Sequence, residues 1–319
     1  MCLNWYDKRY HTLDYELKET FGQKVVKLSL DAGFTCPNRD GTIGERGCIF
    51  CGKKGSGDFA GSRDTDILEQ MEEQKNRLSS KWPNAKYIAY FQSYTNTYAP
   101  LKVLRQRYET ALSGTDIAGM AVATRPDCLP AEVLGLLEEL AQKTFLWVEL
   151  GLQTIHQKSA EFIRRGYDLE CFTKAVNSLK DKNIRVVVHL ILGLPGESDK
   201  DMLDTVKFVS GLGVWGVKLH MLYIQKDTDL YDYYRAHPFD LFTYDQYINV
   251  VCNALEILPP EIVVHRVTGD GVKKLLAAPL WSLDKLRVLS GIDRELKRRN
   301  SFQGIKWKKN NSQSQGRIC

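Results

Sequence analysis

Between Lys24 and Gly271 the chain alternates apolar, β-branched runs with segments of helical period, and this alternation restricts the fold more than any other feature. VVKLSLDAG (25–33), YIAYFQSY (87–94), IAGMAVATRP (117–126), FLWVELGLQT (145–154), IRVVVHLILGLPG (184–196) and VWGVKLHMLYI (214–224) read as six strands. Helical patterns separate them at 65–80, 101–112, 130–143, 156–165 with 169–182, and 199–211. In the first of these, Ile67, Leu68, Met71 and Leu78 form a stripe behind an N-cap at Asp64 or Thr65. Strands that alternate with helices run parallel through right-handed crossovers, and nearly unbroken apolar runs fit burial on both faces. The expectation is an α/β fold, a partial barrel of six β/α units. A helix near 243–258 and an edge strand at 262–269 would extend it.

Eight cysteines are present. The opening residues MCLNWYDKRY carry charges and aromatics where a secretory leader has its apolar core, so a cytoplasmic chain without membrane association is expected. Thiols stay reduced there, which argues against a disulfide framework. Three of the eight form Cys36-x11-Cys48-x2-Cys51, in the glycine-rich loop that follows the first strand. Loops after strand C-terminal ends are where a β/α barrel collects its chemistry. Structural zinc asks for four ligands, the fourth to come from His11 or Cys2. A [4Fe–4S] cluster held by three thiolates instead leaves one iron open.

Net charge is +5 but unevenly spread, with +9 over residues 265–319 and −4 over the rest. DKLRVLSGIDRELKRRN (284–300) has helical spacing, with Leu286, Leu289, Ile292 and Leu296 on one side and cations on the other. Trp307 follows among Lys306, Lys308 and Lys309. Such a segment is either a solvated basic face or a phosphate-binding one.

DAGFTCPNRDGTIGERGCIFC (31–51), FQSYTNTYAPL (91–101), ATRPDCL (123–129), VELGLQT (148–154), HLILGLPGE (189–197), KLHMLYIQKDTDL (218–230) and HRVTGDG (265–271) together resemble the YtqA/YhcC family of radical S-adenosylmethionine (SAM) proteins. That family lies within the group that includes the radical SAM domain of the elongator catalytic subunit. The resemblance covers nearly the whole chain and falls in register with the strand ends. It implies a partial (β/α)6 TIM-like barrel over 25–230, behind an N-terminal extension (1–24) that packs on the barrel. A basic helical extension (231–308) and a disordered tail (309–319) would follow.

The resemblance also implies a [4Fe–4S] cluster on Cys36, Cys48 and Cys51, with SAM chelating the open iron and yielding a 5′-deoxyadenosyl radical. Many radical SAM enzymes contact the methionyl amine through Gly-Gly-Glu after strand two. Here Gln92 and Ser93 stand in that place, without a carboxylate. Glu149 and Gln153 resemble the ribose and methionine contacts, while Ile191, Gly193 and Tyr223 would border the adenine. On the substrate side, Arg125 or Lys218 would clamp a carboxylate, and His189 or His220 would move protons. Tyr94, Asn96 and Tyr98 either gate the cavity or pack a loop. The implied partners are tRNA, through the basic C-terminal segment, and a flavodoxin- or ferredoxin-type electron donor. The implied reaction converts the wobble uridine side chain from 5-carboxymethylaminomethyl to 5-aminomethyl. The alternatives are a small-metabolite substrate or a metal-containing structural RNA-binding protein.

Overall fold

Seven parallel strands lie in one curled sheet: β1 (Val25–Leu30), β2 (Lys86–Phe91), β3 (Ile117–Thr124), β4 (Phe145–Gln153), β5 (Arg185–Leu192), β6 (Gly216–Met221) and β8 (Val263–Arg266), in that spatial order. β7 (Ile224–Gln225) pairs antiparallel with β9 (Leu276–Ala278) outside it. The computed structural model describes residues 5–308 except Ser56 and Asp270, so Cys2 and the tail expected at 309–319 lie outside the described residues. The six expected β/α units are present, and β8 joins β6 as a seventh strand of the half-barrel.

Period-two alternation divides the residues of each strand between two faces. Leu28, Ala89, Val122, Val148, Val188 and Leu219 point outward into the main core. There they meet α2 (Ile67–Ser79), α3 (Leu101–Leu112), α4 (Ala131–Lys143), α6 (Leu169–Asp181) and α7 (Asp199–Gly211). Val25, Ile88, Ala121, Trp147, Val187 and Val263 point inward, where α1 (Leu13–Phe21) inserts Leu13 and Leu17 among them. The N-terminal helix, absent from the sequence reading, thus fills the barrel at the end opposite the cysteine loop.

An open barrel has two edges, and both are covered. Gln70 and Gln74 of α2 imitate a neighbouring strand along β1. Their Oε1 atoms accept from Asp31 and Ser29 backbone N–H at 3.0 and 2.8 Å, and their Nε2 atoms donate to the same residues' carbonyls at 2.8 and 2.7 Å. This keeps the edge from pairing with another chain. It also makes the buried face of α2 Ile67, Gln70, Met71 and Lys75, while the N-cap is Asp66 and Leu68, expected in the stripe, is exposed. At the other edge the β8 residue Val264 donates its N–H to the His11 carbonyl at 2.7 Å.

The short helices α5 (Gln157–Phe162) and α8 (Asp229–Ala236) flank the cysteine loop, and α9 (Tyr244–Ile257) leads into β8. α10 (Lys285–Arg298) packs on α9 through Val288, Gly291, Ile292 and Leu296. Burying each of its three large apolar side chains contributes about 1.5–3 kcal/mol. The expected stripe is therefore turned: Leu286 is 77% exposed, because the contact line begins at Val288.

Candidate active site

The C-terminal ends of β2 to β6 and β8, with the loops that follow β1, β2, β3, β4 and β6, enclose a cavity of about 220 Å³. Cys36, Cys48 and Cys51 line its outer part, and Tyr90, Glu149, His189 and Lys218 its floor.

The cysteine loop is held from several sides. Arg39 Nη2 donates to the carbonyls of Cys51 and Gly52 at 2.6 and 2.9 Å. Asn38 Nδ2 donates to the Arg164 carbonyl at 2.7 Å, and Leu230 N–H to the Ile49 carbonyl at 2.8 Å. Gly55 requires its lack of a side chain: at φ +58° an added Cβ would stand 2.5 Å from the Tyr94 ring. Tyr94 itself has φ +61°, and its hydroxyl donates to the Lys53 carbonyl at 2.5 Å. Tyr94 thus fastens the loop, as does Tyr98 through Thr42 at 2.9 Å, while Asn96 Nδ2 donates to the Phe91 and Ala123 carbonyls. Burial and then the neighbouring Cys51 push the Cys48 thiol up to about 12. Metal binding reverses that preference, because the ligand is the thiolate.

Beneath the cysteines lies a charged floor. Glu149, wholly buried on β4, accepts at Oε1 from Trp147 Nε1 at 2.9 Å. Its Oε2 accepts from Tyr90 hydroxyl and His189 Nε2, each at 2.8 Å, and from Lys218 Nζ. Lys218 also donates to the Tyr90 hydroxyl at 2.9 Å, and Lys27 Nζ lies 4.8 Å from the centre of the Tyr90 ring. Burial raises the Glu149 carboxyl, but Lys218 and then His189 outweigh it and hold the group well below the usual carboxylate range. Burial, then the Lys218 charge, pulls His189 down to about 4.

Two family models match: the Radical SAM superfamily over residues 39–209, and the Radical_SAM C-terminal domain over 214–298. The chain belongs to the radical SAM superfamily. It is 49% identical over 298 residues to protein YtqA of Bacillus subtilis, covering 93% of this chain and 92% of that one. A tRNA uridine(34) acetyltransferase of Methanocaldococcus jannaschii is 30% identical over 167 residues, 49% of this chain and 30% of its own. Among solved structures, the archaeal Elp3 of Methanocaldococcus infernus superposes with a TM-score of 0.68 at 18% identity, over 88% of this chain and 64% of that one. This last likeness concerns the fold.

This chain is therefore a radical SAM enzyme, and the family's cofactors are a [4Fe–4S] cluster and SAM. The donor set fits: three thiols border one cavity, and the fourth-ligand candidate His11 is engaged elsewhere. Its ring nitrogens are bonded to Glu16 at 2.9 Å and the Pro260 carbonyl at 3.2 Å. Among the described residues no group of His, Cys, Asp or Glu is arranged to hold a single metal ion. Cys128 is buried beside Asp127, and burial raises its thiol, an arrangement of structural filler rather than of a reactive thiol.

Of the residues expected to hold SAM, Gln92, Gln153, Ile191 and Tyr223 line the cavity, and Gln153 adopts φ +66° at the end of β4. Strain of that kind, worth about 1–3 kcal/mol, gathers at functional sites. Ser93 is not among the lining residues; Gly57 lies against its hydroxyl. Gly193 faces elsewhere, since an added Cβ would stand 2.9 Å from the Phe242 ring. Glu149 is turned into the floor with both oxygens occupied, so the ribose assignment gives way to an ion-pair role.

The substrate-side set is also redistributed. Arg125 Nε and Nη2 donate to Asp127 at 2.9 and 2.7 Å, and Nη1 donates to the Arg165 carbonyl at 3.0 Å. Its fork is occupied, as is the Lys218 ammonium. His189 and His220 do meet in the cavity, with ring centres 5.1 Å apart. The sequence reading missed Tyr90, Trp147 and Arg266. For Tyr90 a signal existed: it is a polar-tipped residue at an inward position, as are Glu149, His189 and Lys218.

Proposed function

We propose that this radical SAM enzyme acts on the C5 side chain of the tRNA wobble uridine, converting 5-carboxymethylaminomethyl-uridine, with or without 2-thio, to the 5-aminomethyl form. The observation that carries the reading is the kinship with an enzyme named for uridine 34 of tRNA. Cys36, Cys48 and Cys51 would hold the cluster, and Gln92, Gln153, Ile191 and Tyr223 the SAM. With a flavodoxin- or ferredoxin-type donor, the bound pair supplies a carbon radical able to take hydrogen from an unactivated carbon. The glycyl methylene is too weakly acidic for base chemistry, but hydrogen abstraction there gives a radical stabilised by both the amine nitrogen and the carboxylate. Loss of one hydrogen atom to that radical, then of one electron, which the oxidised cluster would take back, and of one proton to water, would give an imine. Its hydrolysis releases glyoxylate and leaves the amine. His189, neutral near pH 7, donates its Nε2 proton to Glu149 and holds the floor in place.

Anaerobically reconstituted protein, given SAM, reductant and carboxymethylaminomethyl tRNA, is expected to form 5′-deoxyadenosine, aminomethyl-uridine and glyoxylate together. Turnover of SAM with an unchanged tRNA nucleoside profile by mass spectrometry rejects the substrate. A second reading, a small-metabolite substrate, draws on the C-terminal cations. Arg298 and Arg299 are bonded to Glu295 at 2.7 Å, and Lys306 is paired with Glu256, so part of the basic face is neutralised within the fold.

A further inference from the structure

We propose that the rim of the cavity between Phe59 and the start of α10 is a docking surface for single-stranded RNA, with Phe59 stacking an unpaired base and exposed cations holding the phosphates. This deepens the reading above and rests on it for the RNA being a substrate, though not for the surface.

Two segments distant in sequence form this rim: residues 52–59, just after the cysteines, and residues 272–287, which carry β9, the helical turn Leu280–Leu283 and the start of α10. Gln225 ties them together. Its Nε2 donates to Asp58 Oδ2 at 3.3 Å, and its Oε1 accepts from the Val272 N–H at 2.8 Å. Across the gap, Lys285 Nζ lies 5.6 Å from the centre of the Phe59 ring. Phe59 lines the cavity yet is 52% exposed. Leu280, Leu283 and Leu286, at three-residue spacing on either side of Lys285, are exposed as well, the last by 77%. A single exposed leucine needs no explanation, but four large apolar side chains gathered at a cavity mouth mark an interaction surface.

Charge selects the occupant. Lys53 and Lys54 on one segment and Lys273, Lys274 and Arg287 on the other are exposed around the apolar shelf. The carboxylates of the same two segments are Asp58 and Asp284. Asp58 is engaged by Gln225, and Asp284 caps α10 by accepting from the Arg287 N–H at 3.0 Å. At 3.6 residues per turn, Leu286, Arg287, Arg294 and Lys297 fall within about 100° of one helix face, so cations continue from the shelf along α10 for roughly 16 Å. Arg298, Arg299 and Lys306, neutralised within the fold, lie at or beyond the far end of that helix. A second copy docked by this face would bring the same cations together across a two-fold axis, where they repel. Unpaired RNA offers both things the surface asks for: flat base faces for Phe59 and the leucines, and phosphates for the cations. A duplex hides its base faces. An enzyme that reaches a base must also take it out of its stack, and Phe59, at once exposed and in the cavity lining, stands where a stacking neighbour would be lost.

The test uses cluster-loaded full-length protein and two fluorescent probes, an anticodon stem–loop with its loop unpaired and the same strand closed into a duplex, followed by anisotropy. Wild type is expected to bind the stem–loop more tightly than the duplex. Phe59→Ala weakens the stem–loop about five- to a hundredfold and leaves the duplex unaffected, while Phe59→Trp retains the preference. Lys273→Gln combined with Lys274→Gln lowers the salt slope by roughly 1–2 for both probes. All these positions are exposed, and cluster absorption reports that each variant is folded. Stem–loop binding in Phe59→Ala equal to wild type overturns the proposal. So does a wild type that binds neither probe or does not tell them apart. A wild-type dimer that Leu286→Ser splits in sedimentation, with stem–loop binding unchanged, overturns it in favour of a second copy. Wild type that binds the stem–loop through Phe59 but leaves carboxymethylaminomethyl tRNA unmodified rejects the tRNA reaction while the surface stands.

Discussion

Replacing Lys218 by Met removes one cation from a carboxylate that has no access to water. Glu149 keeps Tyr90, Trp147 and His189 as donors but loses its charge partner. Stranding a buried charge in this way costs about 3–5 kcal/mol. That is a large part of the ~5–15 kcal/mol by which domains are stable. The pH dependence is the sharper test, because a neighbour can supply the missing charge. In wild type, burial and Lys218 hold folded His189 at about 4, below the ~6.5 of an unfolded chain. Acid therefore favours unfolding through this group, by roughly 3 kcal/mol once the pH has fallen from about 6.5 to about 4. Without Lys218, protonating His189 restores neutrality around Glu149, and its folded pKa rises from about 4 while burial goes on holding it down. The gap to the unfolded value narrows, so less stability is lost through this group as the pH falls. His220 and His265, whose imidazoles Lys218 also pulls down, move in the same sense, while Lys27 and Arg266 go on opposing it. Anaerobic guanidinium midpoints, read by tryptophan fluorescence between about pH 5 and 8, should fall with acid in wild type and fall less steeply with acid in Lys218→Met. A variant with the wild-type slope, or one destabilised by less than ~1 kcal/mol at the alkaline end, refutes the account of the floor.

Ala at Cys36, Cys48 or Cys51 is expected to abolish iron and acid-labile sulfide retention and 5′-deoxyadenosine formation; an intact cluster in any of the three variants removes that residue from the ligand set. Gly193→Ala, at φ +94° and facing Phe242, should destabilise by about 1–3 kcal/mol in thermal unfolding without weakening SAM in equilibrium dialysis. Weakened SAM with unchanged stability would return Gly193 to the adenine. Arg294→Gln and Lys297→Gln, both exposed on α10, should each lower the salt slope of tRNA binding by ~1, and unchanged slopes exclude that face from the RNA interface. Arg299→Gln should act on folding instead, lowering the thermal midpoint, because Arg299 ties Glu295, Asn253 and Asn249 together.

Periodicity was enough to find the six strands and their helices, since each strand is buried on both faces and each helix on one. It did not find the facing of α2, where Gln70 is buried because it hydrogen-bonds an open strand edge rather than because it is apolar. Nor did it fix α10, where the contact line to α9 decides between Leu286 and Val288. The cysteine motif was legible because its three thiols are close in sequence. The partners of Arg125 and Glu149 were harder to assign. Asp127 is two residues from Arg125, while Lys218 is 69 residues from Glu149, and choosing between such partners takes three-dimensional placement. Arg266 was invisible as a cavity residue, because strict alternation carried through β8 does not allow for a bulge at His265.

The buried network answers a problem particular to a half-barrel. A closed barrel fixes its width by completing the hydrogen-bond ring, whereas this sheet ends at β1 and β8. Glu149 on β4 is bonded to Tyr90 on β2, His189 on β5 and Lys218 on β6, so one carboxylate ties together the interior of four strands. Apolar packing of equal volume would stabilise the fold as well or better, but it sets no specific distance between those strands. The cysteine loop and Arg266 lie on strands outside that tether, β1 and β8, and each is anchored by its own contacts to α2 or to the N-terminal segment. The cavity thus lies over that tether, with residues of both separately held edges, the cysteine loop and Arg266, among its lining.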